Sequence, residues 1–284
     1  MNTSTLKLRL IHHWACSGGT LISKCIASLP GVILLNEVNP LAYLRLVRNP
    51  WQKNYCPTDI CQQLAHKHNG KDPVLSMAAF TGAIEGLLDK TSQQGLDLVL
   101  RCHDHVDFFC GPLARDDFAV SEAMRQRASL LSLLTVRHPL DCWMSIIHSK
   151  WDAQISLSSL DEFCQRCLIM LNVAANMPMT YYENFVLEPT LQLKRITQIL
   201  ELSFCKAALE TFSTIELSGD SGRHGNKIEP RQRHPVSSDL QLETSRSLSY
   251  SELCEKLGYD ADPDAPYPYL ADSHQPSSSS QRYS

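Results

Sequence analysis

The sequence lacks the features of exported, membrane-spanning and nucleic-acid-binding proteins. No apolar run approaches the roughly 20 residues of a membrane-spanning helix. The N-terminus, MNTSTLKLRLIHHW, has no basic start followed by a long apolar stretch, so no export signal is predicted. The 284 residues carry a formal net charge of -4, which argues against general binding to nucleic acid and makes any anion site a local one. We therefore expect a soluble cytoplasmic protein with no nucleic-acid partner.

The eleven cysteines also lack a disulfide or zinc pattern. Without an export signal, reduced thiols in a reducing compartment are the simpler interpretation. Cys164 and Cys167 form one C-x-x-C pair, but no second pair and no histidines at matching spacing accompany it. We interpret both as structural thiols and expect no metal site.

Short apolar segments alternate along the chain with segments of helical periodicity. This alternation predicts an α/β fold in which a central parallel β-sheet is flanked by helices on both faces. We expect a single domain over residues 1–260 and a disordered tail, rich in proline and serine, over residues 261–284. The predicted strands are 6–13, 32–37, 96–103, 130–137 and 177–183, and the predicted helices are 20–29, 76–90, 139–151, 160–175, 188–201 and 204–212.

Polar residues recur where the predicted strands end. They are found at 13–19, at Glu37, at 101–105 and at Arg137. Parallel sheets bind their ligands outside the carboxyl ends of the strands. These residues are therefore expected to share one active-site edge.

The first strand is followed by Ser17-Gly18-Gly19-Thr20 and then by a helix. This order directs backbone N–H groups at an anion, and the helix N-terminus adds partial positive charge. An ordinary strand-to-helix turn with a Gly-Gly bend is the alternative. The Gly-Lys-Ser or Gly-Lys-Thr of a nucleotide triphosphatase loop is absent, which disfavours a kinase or triphosphatase.

A second candidate anion site lies in the segment RHPLDCWMS. Arg137 ends a predicted strand, Pro139 suits the first turn of a helix, and Ser145 lies about two turns further on. An arginine fork and a hydroxyl group together suit a phosphate monoester. A surface ion pair and an ordinary helical serine would give the same pattern.

These segments resemble the sulfotransferases that use 3′-phosphoadenosine 5′-phosphosulfate (PAPS). In that family a strand and a basic residue precede Ser-Gly-Thr-Thr or Gly-Gly-Thr, which ACSGGTLIS resembles, and R-x-P-x-x-x-x-x-S is matched by RHPLDCWMS. The family's Tyr-Glu-Asp-Leu segment is similar to YYENFV, with Asn184 in place of the aspartate. Its late basic loop is similar to residues 218–233, where Arg223 and Gly225 are the best candidates.

The resemblance implies a P-loop-like sulfotransferase fold with PAPS as co-substrate. The sulfuryl group would pass by in-line displacement to a hydroxyl or amine of a small-molecule, carbohydrate or peptide acceptor, with a general base and no metal. A nucleotide-binding protein without catalysis and, less favoured, a kinase or triphosphatase are the alternatives. The implied co-substrate contacts are Cys16, Ser17, Gly18, Gly19, Thr20, Leu21, Arg137, Ser145, Tyr182, Arg223 and Gly225.

The basic residue of the family's phosphosulfate loop is missing, because Cys16 or Ser17 stands there. Loss of one well-placed electrostatic donor can cost about 10²–10³ in rate. Arg101 is the first candidate to replace it, because LRCHDH resembles the family's Lys-x-His segment. The less favoured substitutes are His12, His13 and Lys24.

Two residues are candidates for the general base. His103 corresponds to the histidine of the cytosolic small-molecule branch, and Glu37 resembles the glutamate of the tyrosylprotein branch. Histidine's ordinary pKa near 6.5 suits this role with less adjustment, and His105 is a weaker candidate. Tyr182 either flanks the adenine or is a core tyrosine.

Overall fold

Five parallel strands form the central sheet. The computed structural model describes residues 6–42, 73–111, 114–150, 157–217 and 227–269. Within them the strand order is β2-β3-β1-β4-β5, and every neighbouring pair is parallel. The predicted parallel sheet is therefore confirmed. The strands are β1 (Lys7–His13), β2 (Val32–Val38), β3 (Asp97–Cys102), β4 (Ser129–Val136) and β5 (Met179–Tyr181).

The six helices predicted from periodicity are present, with shifted ends. The last of them is a short helix over Ala208–Thr211, continued by one turn of 3₁₀ helix over Phe212–Thr214. Five further helices are absent from the sequence prediction and lie at His105–Phe108, Ala119–Met124, Tyr182–Leu187, Ser238–Arg246 and Leu248–Leu257. The described helices are α1 (Gly19–Ala27), α2 (Pro73–Gln93), α3 (His105–Phe108), α4 (Ala119–Met124), α5 (Pro139–His148), α6 (Leu160–Val173), α7 (Tyr182–Leu187), α8 (Pro189–Ile199), α9 (Ala208–Thr211), α10 (Ser238–Arg246) and α11 (Leu248–Leu257).

Helices cover both faces of the sheet, as the apolar strands predict. Successive side chains of a strand point to opposite faces. Ile11 and Val99 pack with residues of α1 and α8, whereas Leu10 and Leu100 pack with residues of α2 and α4. The central strands β1 and β3 are largely buried on both faces, whereas β2 at the edge of the described sheet is only partly covered.

The C-terminal helix α11 carried a sequence signal that the prediction missed. Tyr250, Leu253 and Leu257 recur at helical spacing and are buried. Ser247 caps the helix by accepting a hydrogen bond from the Tyr250 N–H, and Gly258 ends it in the left-handed conformation. Residues 227–269 thus belong to the folded domain.

Residues 261–269 are also packed, which corrects the predicted start of the disordered tail. Tyr269 is buried and accepts a hydrogen bond from the Arg233 N–H at 2.8 Å. Tyr267 donates its hydroxyl to the carbonyl oxygen of Glu183 at 3.2 Å. The rest of the expected tail, residues 270–284, lies outside the described residues.

The described residues include no helix that is both long and apolar enough to cross a bilayer. None of the nine cysteines in this part of the chain is in a disulfide. Cys164 and Cys167 lie on α6 in the apolar core, where burial raises the pKa of both thiols.

Candidate active site

A cavity of about 930 Å³ lies at the carboxyl ends of the strands. It is lined by one residue from the end of each strand or from directly after it: His13, Glu37, Arg101, Arg137 and Tyr182. The polar residues that follow the strands in the sequence therefore meet at one edge of the sheet.

The glycine loop forms one wall of this cavity, and its backbone requires glycine. Gly18 has φ +85°, and a Cβ there would overlap the ring of Tyr182. A Cβ on Gly19 would lie 2.9 Å from Cγ of His13. Gly18 is the N-cap of α1 and makes no side-chain capping hydrogen bond to the first turn. Such a helix N-terminus is suited to an anion.

The other predicted loop residues take different orientations. Cys16, Thr20 and Leu21 line the cavity. Burial raises the pKa of the Cys16 thiol to about 11, so Cys16 supplies no charge at neutral pH. Ser17 is buried and does not line the cavity, because its hydroxyl donates to the Trp14 carbonyl at 2.9 Å.

Arg101 brings a cation to the glycine loop. One Nη donates to Thr20 Oγ1 at 3.1 Å, and the other donates to Asn36 Oδ1 at 2.8 Å. Its Nε donates to His13 Nε2 at 3.2 Å. The guanidinium is held at three points beside the first turn of α1. Burial lowers the pKa of Arg101, and neighbouring Glu37 opposes this effect.

Glu37 lies next to this cation. Its carboxylate is 3.4 Å from the Arg101 guanidinium, and 14% of its side chain is exposed. The backbone φ of Glu37 is +53°, an uncommon conformation for a residue other than glycine. Glu37 thus lines the cavity from a local irregularity where β2 and β3 lose their register.

His103 and His105 form a buried pair beside Arg101. Their Nε2 atoms are in contact, and their ring centroids are 3.6 Å apart. His105 lines the cavity, whereas His103 does not. Burial lowers the pKa of both rings, although nearby Glu37 raises that of His103. Burial and the Arg101 charge also lower the pKa of His13.

Asp104 holds the ends of β1 and β3 together. Its carboxylate accepts the His13 N–H at 3.0 Å and lies 3.1 Å from His12 Nδ1. With Cys102, His12 and Asp104 form a buried group whose possible metal-ligand atoms all lie within 4.8 Å. Because Asp104 is already occupied in supporting the loop, we interpret this group as structural.

Arg137 and Ser145 lie at a second polar region of the cavity. An Nη of Arg137 donates to the Cys16 carbonyl at 3.3 Å, and its guanidinium lies 4.9 Å from the ring centroid of Tyr182. Its Nε is buried and has no hydrogen-bond partner among the described residues. Ser145 Oγ donates to the Asp141 carbonyl at 2.7 Å. An anion at this position would satisfy the buried Nε.

A further part of the cavity wall comes from the C-terminal part of the chain. Arg231, Arg233 and His234 line the cavity. The two arginines belong to the predicted basic loop, residues 218–233, although other residues of that loop were named as its candidates. Arg233 forms an ion pair with Asp141, in which its Nε lies 3.0 Å from Oδ1. The nearby predicted residues Arg223 and Gly225 lie outside the described residues. Two arginines in the run RQRH were the available signal for this wall.

The sequence matches no model of a known protein family and no curated protein. Solved structures are similar in fold. The sulfotransferase domain of the Synechococcus PCC 7002 olefin synthase has a TM-score of 0.55 at 18% identity, over 92% of this chain and 98% of that chain. The sulfotransferase domain from the curacin biosynthetic pathway has a TM-score of 0.55 at 13% identity, over 92% of this chain and 99% of that chain. The chain therefore has the sulfotransferase fold.

Proposed function

We propose that this chain is a sulfotransferase that moves a sulfuryl group from PAPS to an acceptor hydroxyl or amine. The observation that carries the proposal is the Arg101 guanidinium, which bonds Thr20 at the start of α1. It supplies a fixed cation at a glycine loop whose own side chains supply none. The sulfotransferase fold of the chain supports the same activity.

The two polar regions of the cavity fit the two anionic groups of the donor. The glycine loop and Arg101 would hold the 5′-phosphosulfate. Arg137 and Ser145 would hold the 3′-phosphate, because the buried Nε of Arg137 needs an acceptor. Tyr182 contacts both regions, so we place the adenosine beside it.

The reaction requires little covalent participation by the protein. The acceptor oxygen or nitrogen forms a bond to sulfur while the bond from sulfur to the bridging oxygen of the donor breaks. The base takes the acceptor proton, and adenosine 3′,5′-bisphosphate leaves. Arg101 stabilises the charge that develops on the leaving phosphate, in place of the basic residue that the loop lacks.

We assign the base to Glu37, with His103 as the alternative. A base must lie within reach of the proton before its pKa matters. Of the two residues, Glu37 lines the cavity and His103 does not. His105 lines the cavity in contact with His103, so a histidine base would act through this pair.

Direct binding tests the nucleotide assignment. We expect calorimetry to show binding of adenosine 3′,5′-bisphosphate without magnesium and no comparable binding of ATP·Mg. Binding of ATP·Mg without binding of the bisphosphate would favour a kinase or triphosphatase and overturn the proposal.

A turnover assay distinguishes an enzyme from a protein that binds the nucleotide without catalysis. The absence of a basic residue from the glycine loop is the observation that favours the non-catalytic alternative. Donor carrying labelled sulfate is offered to panels of small alcohols, phenols, amines, saccharides and peptides. Labelled product is the expected result. Bisphosphate binding with no transfer to any acceptor class would favour the non-catalytic alternative.

The proposed chemistry needs no metal. We further propose a reducing, cytoplasmic location, because none of the nine described cysteines is in a disulfide. Fractionation of cells that express the chain would test this location.

A further inference from the structure

The turn that carries Arg137 is buried beneath the C-terminal part of the chain. The neighbouring residue, His138, is fully buried. Its ring lies among Tyr250, Tyr259 and Tyr269, with ring-centroid distances of 6.3, 4.9 and 5.4 Å. Its Nε2 lies 3.0 Å from the Asp260 carbonyl oxygen, to which it donates. The turn between β4 and α5 is thus held by residues more than 100 positions away in sequence.

One carboxylate joins this turn to the C-terminal segment. Glu183 is only 1% exposed. Its Oε1 accepts the His138 N–H at 3.1 Å, and its Oε2 accepts the Tyr259 hydroxyl at 2.5 Å. Tyr259 is itself 2% exposed. The Glu183 carboxylate thus uses both of its oxygens to link the His138 N–H to the Tyr259 hydroxyl.

The fixed amide belongs to the peptide bond that links Arg137 to His138. The Arg137 side chain is itself held by the Cys16 carbonyl and the Tyr182 ring. Its direction into the cavity therefore depends on where the turn places its backbone. Burial raises the pKa of Glu183, while the nearby Arg137 charge and the Tyr259 hydroxyl lower it.

We propose that Glu183 and Tyr259 are positioning residues, which hold the turn so that Arg137 meets the 3′-phosphate of the donor. This inference rests on the proposed function, because it concerns the same nucleotide site. It makes the C-terminal segment a part of that site, although neither residue touches the ligand.

The test compares two ligands that differ in the 3′-phosphate. Adenosine 3′,5′-bisphosphate and adenosine 5′-monophosphate are titrated by calorimetry into the full chain and its variants. Tyr259→Phe removes the hydroxyl that bonds Glu183. Tyr250→Phe is the control, because it removes the hydroxyl of another buried tyrosine of the same region, which bonds the Ala261 carbonyl at 3.0 Å and not Glu183.

We expect Tyr259→Phe to weaken binding of the bisphosphate about tenfold and that of the monophosphate less than about twofold. Tyr250→Phe should change neither affinity by more than about twofold. Glu183→Gln can still accept the His138 N–H, so its affinity for the bisphosphate should stay within about threefold of the wild-type value. Glu183→Ala should bind the bisphosphate about 30-fold more weakly, or weaker still. If Glu183→Ala does not fold, the other three variants decide the question.

The two failures can be told apart. If the wild type binds no bisphosphate, the proposed function is overturned and this inference with it. If the wild type binds the bisphosphate but Tyr259→Phe weakens both ligands equally, or neither, only the positioning role is overturned.

Discussion

At the scale of single residues, the proposed site takes its cation from a strand end and not from the glycine loop. Cys16 or Ser17 stands where the sulfotransferases that the sequence resembles carry a basic residue, and burial raises the pKa of the Cys16 thiol to about 11. Arg101 reaches the same loop from the end of β3 and contacts Thr20. A guanidinium held at three points keeps its orientation better than a single lysine on a flexible stem would.

Replacement of Arg101 should therefore affect turnover strongly. We expect Arg101→Ala to lower kcat by about 10²–10³-fold. Arg101→Lys should lower it about tenfold, because an ammonium group cannot bond Thr20, Asn36 and His13 together. Steady-state kinetics with saturating donor would measure both effects.

The control is Arg9→Lys. Arg9 is also a buried arginine on the sheet, but it donates to the Leu200 carbonyl, away from the cavity. Its conservative variant should keep the wild-type kcat. An unchanged kcat in Arg101→Ala would refute the role assigned to Arg101.

The assignment of the base to Glu37 predicts a large decrease in kcat for one variant and a small decrease for another. We expect Glu37→Gln to lower kcat by about 10²-fold or more, because the amide cannot take the acceptor proton. His103→Asn should lower kcat less than about tenfold, because this ring does not line the cavity. The reverse pattern would move the base to His103.

At the scale of elements, the loop between β1 and α1 is determined by contacts as well as by conformation. Gly18 adopts a positive φ, and the Tyr182 ring occupies the space where its Cβ would be. Tyr182 begins α7, which follows β5 at the far edge of the described sheet. The shape of the loop thus depends on an element that is distant in sequence.

This contact can be tested with two glycine variants that share the same backbone strain. Gly18 has φ +85° and Gly95 has φ +70°, but a Cβ on Gly95 would meet nothing within 4 Å. We expect Gly95→Ala to lower the free energy of unfolding by about 1–2 kcal/mol. Gly18→Ala should lower it further and abolish bisphosphate binding, because the new methyl group displaces Tyr182.

Thermal unfolding and calorimetry of both variants would measure these effects. The prediction fails if Gly18→Ala and Gly95→Ala lose the same free energy of unfolding and Gly18→Ala still binds the bisphosphate. The position of Tyr182 would then not require a glycine at position 18.

At the scale of the whole molecule, burial at the carboxyl ends of the strands favours the uncharged form of several histidines. Burial lowers the pKa of His13, His103 and His105. The unfolded chain therefore binds more protons than the folded chain between the lowered values and about 6.5. These rings therefore do not reduce the free energy of unfolding above about pH 6.5. They reduce it progressively as the pH falls from about 6.5 towards their lowered pKa values.

We predict that His105→Asn has a smaller loss of stability between pH 6.5 and pH 5 than the wild type. Denaturant unfolding at a series of pH values would measure the two slopes. Other titrating groups, such as Asp107 with its pKa raised by burial to about 7, are present in both proteins and largely cancel in the difference. Equal slopes would contradict the buried uncharged state of His105.

Local sequence patterns predicted most of the sheet, because a strand buried on both faces must be apolar along its length. The six predicted helices were recognised because a helix that packs on a sheet buries one face, so that its apolar residues recur at helical spacing. The short helices α3, α4 and α7 span only four to six residues, too few for a period to be recognised. Among the site residues, the strand ends located Glu37, Arg101 and Arg137 at one edge.

By itself, the sequence determined the parallel α/β architecture, the glycine loop after β1 and the edge at which polar residues collect. These features follow from local chemistry, namely apolar periodicity, glycine conformations and the common direction of parallel strands. Only the tertiary structure decided that Arg101 contacts Thr20, that Ser17 turns away from the cavity and that Tyr259 bonds Glu183. Each of these depends on the distance between side chains far apart in sequence, which no local pattern specifies.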